Sequence, residues 1–212
     1  MDSGKISVDR AYRRIKNQER KLTPTPNLPK GKFEIIVADI PWQYDFDGRG
    51  APEYKTMSIE EIKNEIPKLP AHDNCKLFLW ATNPKIELGI ELMNFWGFTY
   101  TTNWTWVKMK NGKLQKGPGY HAWSSSEQIL IGTKGNMTPL EGTLESTVIF
   151  AERTKHSVKP EEFFGIVENQ NPEREKLEMF ARKDRKGWTV WGDEVSCLRK
   201  NVKNTYRGGK NE

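Results

Sequence analysis

Asp39-Ile40-Pro41-Trp42 closes the apolar run Phe33-Glu34-Ile35-Ile36-Val37-Ala38, and these four residues can hold an amino group attached to an aromatic ring. Such an amine is a poor nucleophile, because its lone pair is delocalised into the ring. The Asp39 carboxylate and the backbone carbonyl of Ile40 can each accept one N–H hydrogen bond, drawing the nitrogen toward a geometry whose lone pair points at an electrophile. Trp42 then offers an indole face for stacking. A nucleobase that is extruded from a helix, or met single stranded, is held in this way by stacking and by hydrogen bonds along its edge. The same residues also suit an ordinary strand end, with Asp capping a turn and Pro stopping the strand, so the tetrapeptide alone leaves both readings open.

The elements that must position this group follow from hydrophobic patterning. Short β-type runs at 35–38, 77–80, 104–107, 129–131, 148–150 and 177–180 predict strands of a mixed or mainly parallel sheet. Helical patterns fall between them. Ser58 and Glu61 have capping-box spacing; Asn83-Pro84 opens a helix whose Ile86, Ile90 and Met93 share a face until Gly97; Pro160 opens a third helix with Phe164 and Val167 inward. Sheets interleaved with helices bind ligands beyond the carboxyl ends of their strands, and Asp39 lies at such an end.

The flanks differ in composition from this core. Residues 1–30 make a basic arm, with Arg10, Arg13, Arg14, Lys16, Arg20 and Lys21, followed by the proline-rich linker Thr23-Pro24-Thr25-Pro26-Asn27-Leu28-Pro29. One domain is predicted over 31–198, and 199–212 reads as a basic flexible tail. A net charge of +6, from 34 basic against 28 acidic residues, is compatible with a polyanionic partner. Cys75 and Cys197 are far apart, and His72, His121 and His156 are scattered, so no disulfide framework or metal site is expected. Without an apolar leader or spanning run the chain is expected to be intracellular, with no membrane partner: cytoplasmic in a bacterium or phage, nuclear in a eukaryote.

Tyr54-Lys55-Thr56-Met57-Ser58, Leu77-Phe78-Leu79-Trp80-Ala81-Thr82, Trp96-Gly97-Phe98 and Trp106-Val107-Lys108 follow the tetrapeptide in order. Glu127 with Gly132-Thr133-Lys134-Gly135, His156-Ser157-Val158-Lys159-Pro160, Glu178-Met179-Phe180-Ala181-Arg182, Trp188 and Gly192-Asp193-Glu194-Val195 complete the series. Over roughly residues 31–196 it closely resembles the family of the eukaryotic mRNA adenosine N6-methyltransferase catalytic subunit and its bacterial and phage relatives. The resemblance implies an α/β, Rossmann-like S-adenosylmethionine-dependent methyltransferase in permuted motif order, with a mainly parallel sheet flanked by helices. It implies methyl transfer to adenine N6 in DNA or RNA, leaving S-adenosylhomocysteine.

Carried onto this chain, the resemblance makes Asp39, Ile40, Pro41 and Trp42 catalytic. It assigns cofactor contacts to Asp39, Lys159, Arg182, Arg185, Trp188, Asp193 and Glu194, and the substrate side to Trp42, Tyr54 and Glu127. Two positions depart from the family pattern. Ile40 stands where a proline is usual; it keeps the carbonyl but adds an N–H that must be satisfied. Asp193 stands where Asn is common, so it accepts hydrogen bonds and cannot donate. Lys110, Lys113 and Lys116, in a polar and basic loop at 108–120 ending in Tyr120, are expected to track a phosphate backbone.

Two other readings stay open on sequence. One is a noncatalytic nucleic-acid-binding subunit partnering an active methyltransferase, and the other is methylation of a different amine such as cytosine N4. A homodimer, or a heterodimer with a related methyltransferase subunit, fits either.

Overall fold

The structure, a computed structural model, describes residues 26–44, 55–119, 121–154, 158–193 and 195. Most of the basic arm, Tyr54, Tyr120, Glu194 and the basic tail lie outside the described residues. Within them, the strands β1 (Phe33–Asp39), β2 (Ala71–Ala81), β3 (Thr99–Lys110), β4 (Lys113–Leu114), β5 (Ser126–Lys134), β6 (Val148–Glu152), β7 (Lys176–Met179) and β8 (Thr189–Trp191) form one sheet. Helices α1 (Ile59–Glu65), α2 (Ile86–Phe95) and α3 (Glu161–Gln170) connect or cover them.

Side chains on β1 and β2 alternate between two cores, as the two-residue period of a strand requires. Ile36, Ala38, Leu77 and Leu79 enter a cluster with Ile62, Ile66, Leu92 and Trp96 beside α1 and α2. Ile35, Val37, Phe78 and Trp80 enter a second cluster with Phe163, Phe164 and Val167 of α3. Burial on both faces explains why these strands read as continuous apolar runs. By the same alternation Asp39 faces the α3 side.

The sheet is mixed. Four of its seven pairings are parallel (β1 with β2 and β7, β7 with β8, β3 with β6), and three are antiparallel (β2 with β5, β3 with β5 and β4). Six strands therefore run one way and only β4 and β5 are reversed, so the carboxyl ends of β1, β2 and β3 share a rim with the start of β5. Register makes this concrete: Asp39 is level with Trp80, Trp80 with Ile129, and Trp106 with Glu127.

All six expected strands are present, and the differences lie in detail. Phe180, with φ of 60°, ends β7 one residue earlier than the pattern suggests. The capping box forms, Glu61 N donating to Ser58 Oγ at 3.1 Å and Ser58 N to Glu61 Oε2 at 2.7 Å. In α2 the buried stripe runs through Gly89, Leu92 and Met93, while Ile86 and Ile90 are only partly buried. Gly89 explains the rotation: a Cβ there would sit 2.6 Å from Leu130 Cδ1, so its absence lets the helix lie close against the sheet. Residues 26–28 pack onto the domain although they form no regular element. The Trp191 indole N–H donates to the carbonyls of Pro26 (3.2 Å) and Asn27 (3.0 Å).

The expected basic loop is partly a hairpin. Asn111 and Gly112, with φ of 52° and 70°, turn β3 into β4. Positive φ at both central residues is the reason Asn-Gly favours two-residue hairpins. Glu152 on β6 fixes the turn, accepting from Asn111 N at 3.1 Å and Gly112 N at 2.9 Å.

Candidate active site

Pro41 bends the chain as it leaves β1. The Trp42 amide donates to the Ile40 carbonyl at 2.9 Å, a three-residue turn that suits the fixed φ of proline. That carbonyl still has a second lone pair for another donor. The turn is tied down by a parallel bridge between Trp42 and Met57, with Met57 N donating to Pro41 O at 2.8 Å and Gln43 N to Met57 O at 3.1 Å.

Trp42 departs from its expected role. Its ring is 4% exposed and its indole N–H donates to the Trp80 carbonyl at 3.1 Å, so here it supports the turn rather than presenting an open stacking face. A bulky apolar residue beside a proline turn cannot be assigned to surface or core from sequence. Ile40, at the position of the usual proline, is buried in the same cluster as Trp42.

Asp39 lies within a line of alternating charges. Lys159, in the segment that leads into α3, places its ammonium 3.0 Å from Asp39 Oδ1 and 2.8 Å from Glu127 Oε2. Lys108, at the end of β3, reaches Glu127 Oε1 at 2.7 Å. All four side chains are largely buried, from 12% exposed for each lysine to 25% for Asp39. The Lys159 ammonium also lies 4.7 Å from the centroid of the Trp80 ring.

Burial pushes the Asp39 carboxyl above its ordinary value, and Lys159 partly offsets this; Arg182 also favours the ionised form. Glu127 goes the other way: burial raises it, but Lys159 and Lys108 together hold it down to about 2. Burial disfavours the Lys159 ammonium, yet Asp39 and Glu127 outweigh burial and keep it above the usual lysine range. The lysine is therefore a fixed cation between two carboxylates, and Asp39 is the member closest to protonation.

Other expected residues are placed differently. The Arg185 guanidinium bridges Glu161 (2.7 Å) and Glu178 (3.4 Å) and stacks 3.5 Å from the Phe164 ring centroid. Its polar atoms thus latch the segment after β7 onto α3. Trp188 packs edge-on against Phe164, and its N–H donates to Glu168 at 2.8 Å, so it also faces α3. Arg182 is half-buried and close enough for its charge to act on Asp39. Asp193 is exposed beside Gly192, where an added Cβ would lie 2.7 Å from the Ala181 carbonyl, so the chain after β8 lies tight against the end of β7. Lys110, Lys113 and Lys116 are exposed on and after the hairpin, beyond the rim reached by Lys108.

Two residues were not singled out from sequence. Lys108 appeared only as part of a Trp-Val-Lys motif, although alternation from the buried Trp104 and Trp106 places it on the α3 side of β3. Glu178, level with Val37 in the β1–β7 register, is pushed above its ordinary value by burial, and Arg185 offsets part of this. An acidic residue within an apolar β7 run was the available signal.

The MT-A70 family model matches residues 33–194. The chain is 29% identical over 219 residues to the type II methyltransferase M.MunI of Mycoplasma sp., covering 90% of this chain and 91% of that protein. It is 33% identical over 177 residues to the N(6)-adenosine-methyltransferase MT-A70-like protein of Drosophila melanogaster, covering 80% of this chain and 28% of that protein. To the human N(6)-adenosine-methyltransferase catalytic subunit METTL3 it is 32% identical over 176 residues, 79% of this chain and 29% of that one. The chain thus spans less than a third of those two eukaryotic relatives. These matches identify a methyltransferase. More particularly, the chain belongs to the MT-A70 family. Among the described residues no helix is long and apolar enough to cross a membrane.

Proposed function

We propose that this chain transfers a methyl group from S-adenosylmethionine to the N6 amine of adenine in a nucleic acid. The observation that carries the reading is the buried Asp39 carboxylate at the carboxyl rim, braced by Lys159 and adjacent to the Ile40 carbonyl. These are two acceptors for the two protons of one exocyclic amine. The relatives named as N(6)-adenosine-methyltransferases support the choice of amine.

The residues near Asp39 suit the donor. Its carboxylate needs a cation, which Lys159 and Arg182 offer; its ammonium and sulfonium need acceptors, which Asp39 and Glu178 offer. The Trp80 indole N–H, buried and without a hydrogen-bond partner among the described residues, is a further donor level with Asp39. When bound, the donor supplies an electrophilic methyl: the amine lone pair forms the N–C bond, the C–S pair stays on sulfur, and one N–H proton is given up. Asp39 and the Ile40 carbonyl orient the amine and stabilise the positive charge that reaches nitrogen, and holding the reactants in line supplies much of the rate. A carboxylate whose affinity for protons is raised by burial is suited to take the amine proton as charge develops.

The test is transfer of labelled methyl to single- and double-stranded DNA and RNA, followed by nucleoside analysis. N6-methyladenosine or its deoxy counterpart is the expected product. N4-methylcytosine would replace the assignment of the amine. Cofactor binding without any transfer would favour a subunit that needs a methyltransferase partner, and absence of cofactor binding would favour a noncatalytic platform.

We further propose that the exposed hairpin lysines hold the phosphate backbone, while the Asp39 pocket supplies base identity. Replacing Lys110, Lys113 and Lys116 with Ala should weaken binding to all sequences alike, and reduce the salt slope by up to about one unit per lost contact. Fluorescence anisotropy across a salt series checks this. Unchanged affinity and slope would mean that nucleic acid enters by another surface.

A further inference from the structure

Lys108 has no part in the roles proposed above, yet it is enclosed as firmly as Lys159. Its ammonium lies 2.7 Å from Glu127 Oε1 and 5.6 Å from the centroid of the Trp106 ring, with the side chain 12% exposed. The other Glu127 oxygen holds Lys159, which in turn reaches Asp39. Lys108, Glu127, Lys159 and Asp39 thus form one chain of alternating charge, carried by β3, β5, the segment before α3, and β1. A surface ion pair would be worth little and would need no explanation; a largely buried line of four charges ending at a candidate amine acceptor is a different case.

We propose that Lys108 is a positioning residue for methyl transfer: by holding Glu127, it sets how far the Lys159 ammonium is shared with Asp39, and so whether Asp39 is a carboxylate when the amine arrives. The inference rests on the reading of Asp39 as the amine's acceptor. Two carboxylates compete for one ammonium. With Lys108 in place, Glu127 is neutralised from one side and leaves Lys159 free to lie against Asp39. Without it, Glu127 has only Lys159, draws that ammonium toward itself, and deprives Asp39 of its counter-ion.

The charged groups acting on Asp39 are Lys159, Arg182, Glu127 and Glu178, and those acting on Glu127 are Lys159, Lys108 and Asp39. Lys108 touches Glu127 and makes no ion pair with Asp39, so its closest connection to that carboxylate runs through Glu127 and Lys159. Burial already pushes the Asp39 carboxyl up, and loss of a counter-ion pushes it in the same direction. As pH falls, the ionised form of Asp39 would then be lost earlier.

The test is a 13C NMR titration of the Asp39 carboxyl in the full chain, which requires no turnover. In Lys108→Met the Asp39 midpoint should rise by about one pH unit, the lower end of what a close opposite charge supplies, and Lys108→Arg should restore it. Glu127→Gln removes the competitor, so the Asp39 midpoint should fall. The acid limb of kcat/KM in Lys108→Met should move upward with the Asp39 midpoint. An unmoved Asp39 midpoint in Lys108→Met overturns the inference, because it would show that Lys108 only neutralises Glu127. If Lys108→Met does not fold, Lys108→Gln, which keeps a polar side chain against Glu127, carries the same titration, and an unmoved Asp39 midpoint there is equally decisive. A parent protein that methylates no nucleic acid would overturn the proposed function, and the titrations would still read the relay.

Discussion

Asp39→Asn should fold and still bind S-adenosylmethionine, more weakly because Glu178 alone is left to meet its positive groups, but lose methyl transfer, with kcat down by at least about a hundredfold, the usual cost of removing one preorganised electrostatic partner from a reacting group. The substitution keeps the size of the side chain and one carbonyl acceptor, so the change is confined to charge and to the capacity to take a proton. Because the lost interaction strengthens as positive charge develops on the amine, the effect should fall mainly on kcat, with KM for the nucleic acid little changed. Single-turnover transfer of labelled methyl, with calorimetry for the cofactor and far-ultraviolet circular dichroism for the fold, separates these quantities. Turnover close to the parent's in a folded, cofactor-binding variant would remove Asp39 from the chemistry. The site would then have to use the Ile40 carbonyl as its only acceptor.

The parts of this site that were legible in the sequence share a physical reason. Asp39 follows an apolar β run without a gap, so the strand end, and with it the carboxylate's place on the rim, followed from local pattern alone. Lys159 and Pro160 mark the start of α3 in the same local way. The contacts that assemble the site are not local. Lys159 meets Asp39 and Glu127 across three segments of the chain, and nothing in the spacing of 39, 127 and 159 encodes a 3.0 Å ion pair. Even the direction of β5, which brings Glu127 to the same rim, depends on its antiparallel pairing with β2 and β3.

Arg185 and Trp42 show what local reading leaves out. The resemblance placed Arg185 at the cofactor and the tetrapeptide placed Trp42 on the base, and both spend their polar atoms inside the protein, on Glu161 and Glu178 in one case and on the Trp80 carbonyl in the other. An arginine presents a planar fork that serves a carboxylate of the protein as well as any ligand, and an indole N–H will take any available carbonyl. Residue type fixes the chemistry a side chain can perform, and tertiary packing decides the partner. The Asn111-Gly112 hairpin was missed within a segment read only as a polar and basic loop, because its short β4 strand carries no alternating apolar pattern to mark it.

Lys159→Met should be the most destabilising single change in the site. It retains most of the apolar stem against Trp80 but leaves Asp39 without its closest counter-ion and Glu127 with Lys108 alone. Removing one partner from a buried ion pair typically costs about 3–5 kcal/mol, because the remaining charge is left desolvated. For a chain of this size that corresponds to a fall in melting temperature of roughly 6–20 °C. The sign of the pH dependence follows from Asp39. Its carboxyl, already raised by burial, rises further without Lys159, so the folded variant binds a proton more tightly than the unfolded chain. That favours the folded variant below the ordinary carboxylate range, and the advantage is lost as pH rises through the raised value. The gap between variant and parent should therefore be smaller in acid and wider at neutral pH. Adding Asp39→Asn to Lys159→Met should recover part of the loss, a non-additivity that identifies the pair as the cause. Differential scanning calorimetry of the parent, both single variants and the double variant at acid and neutral pH measures each term. A Lys159→Met protein that melts with the parent at both would show that its ammonium is not required to compensate the two carboxylates, and the electrostatic account of this site would fail with it.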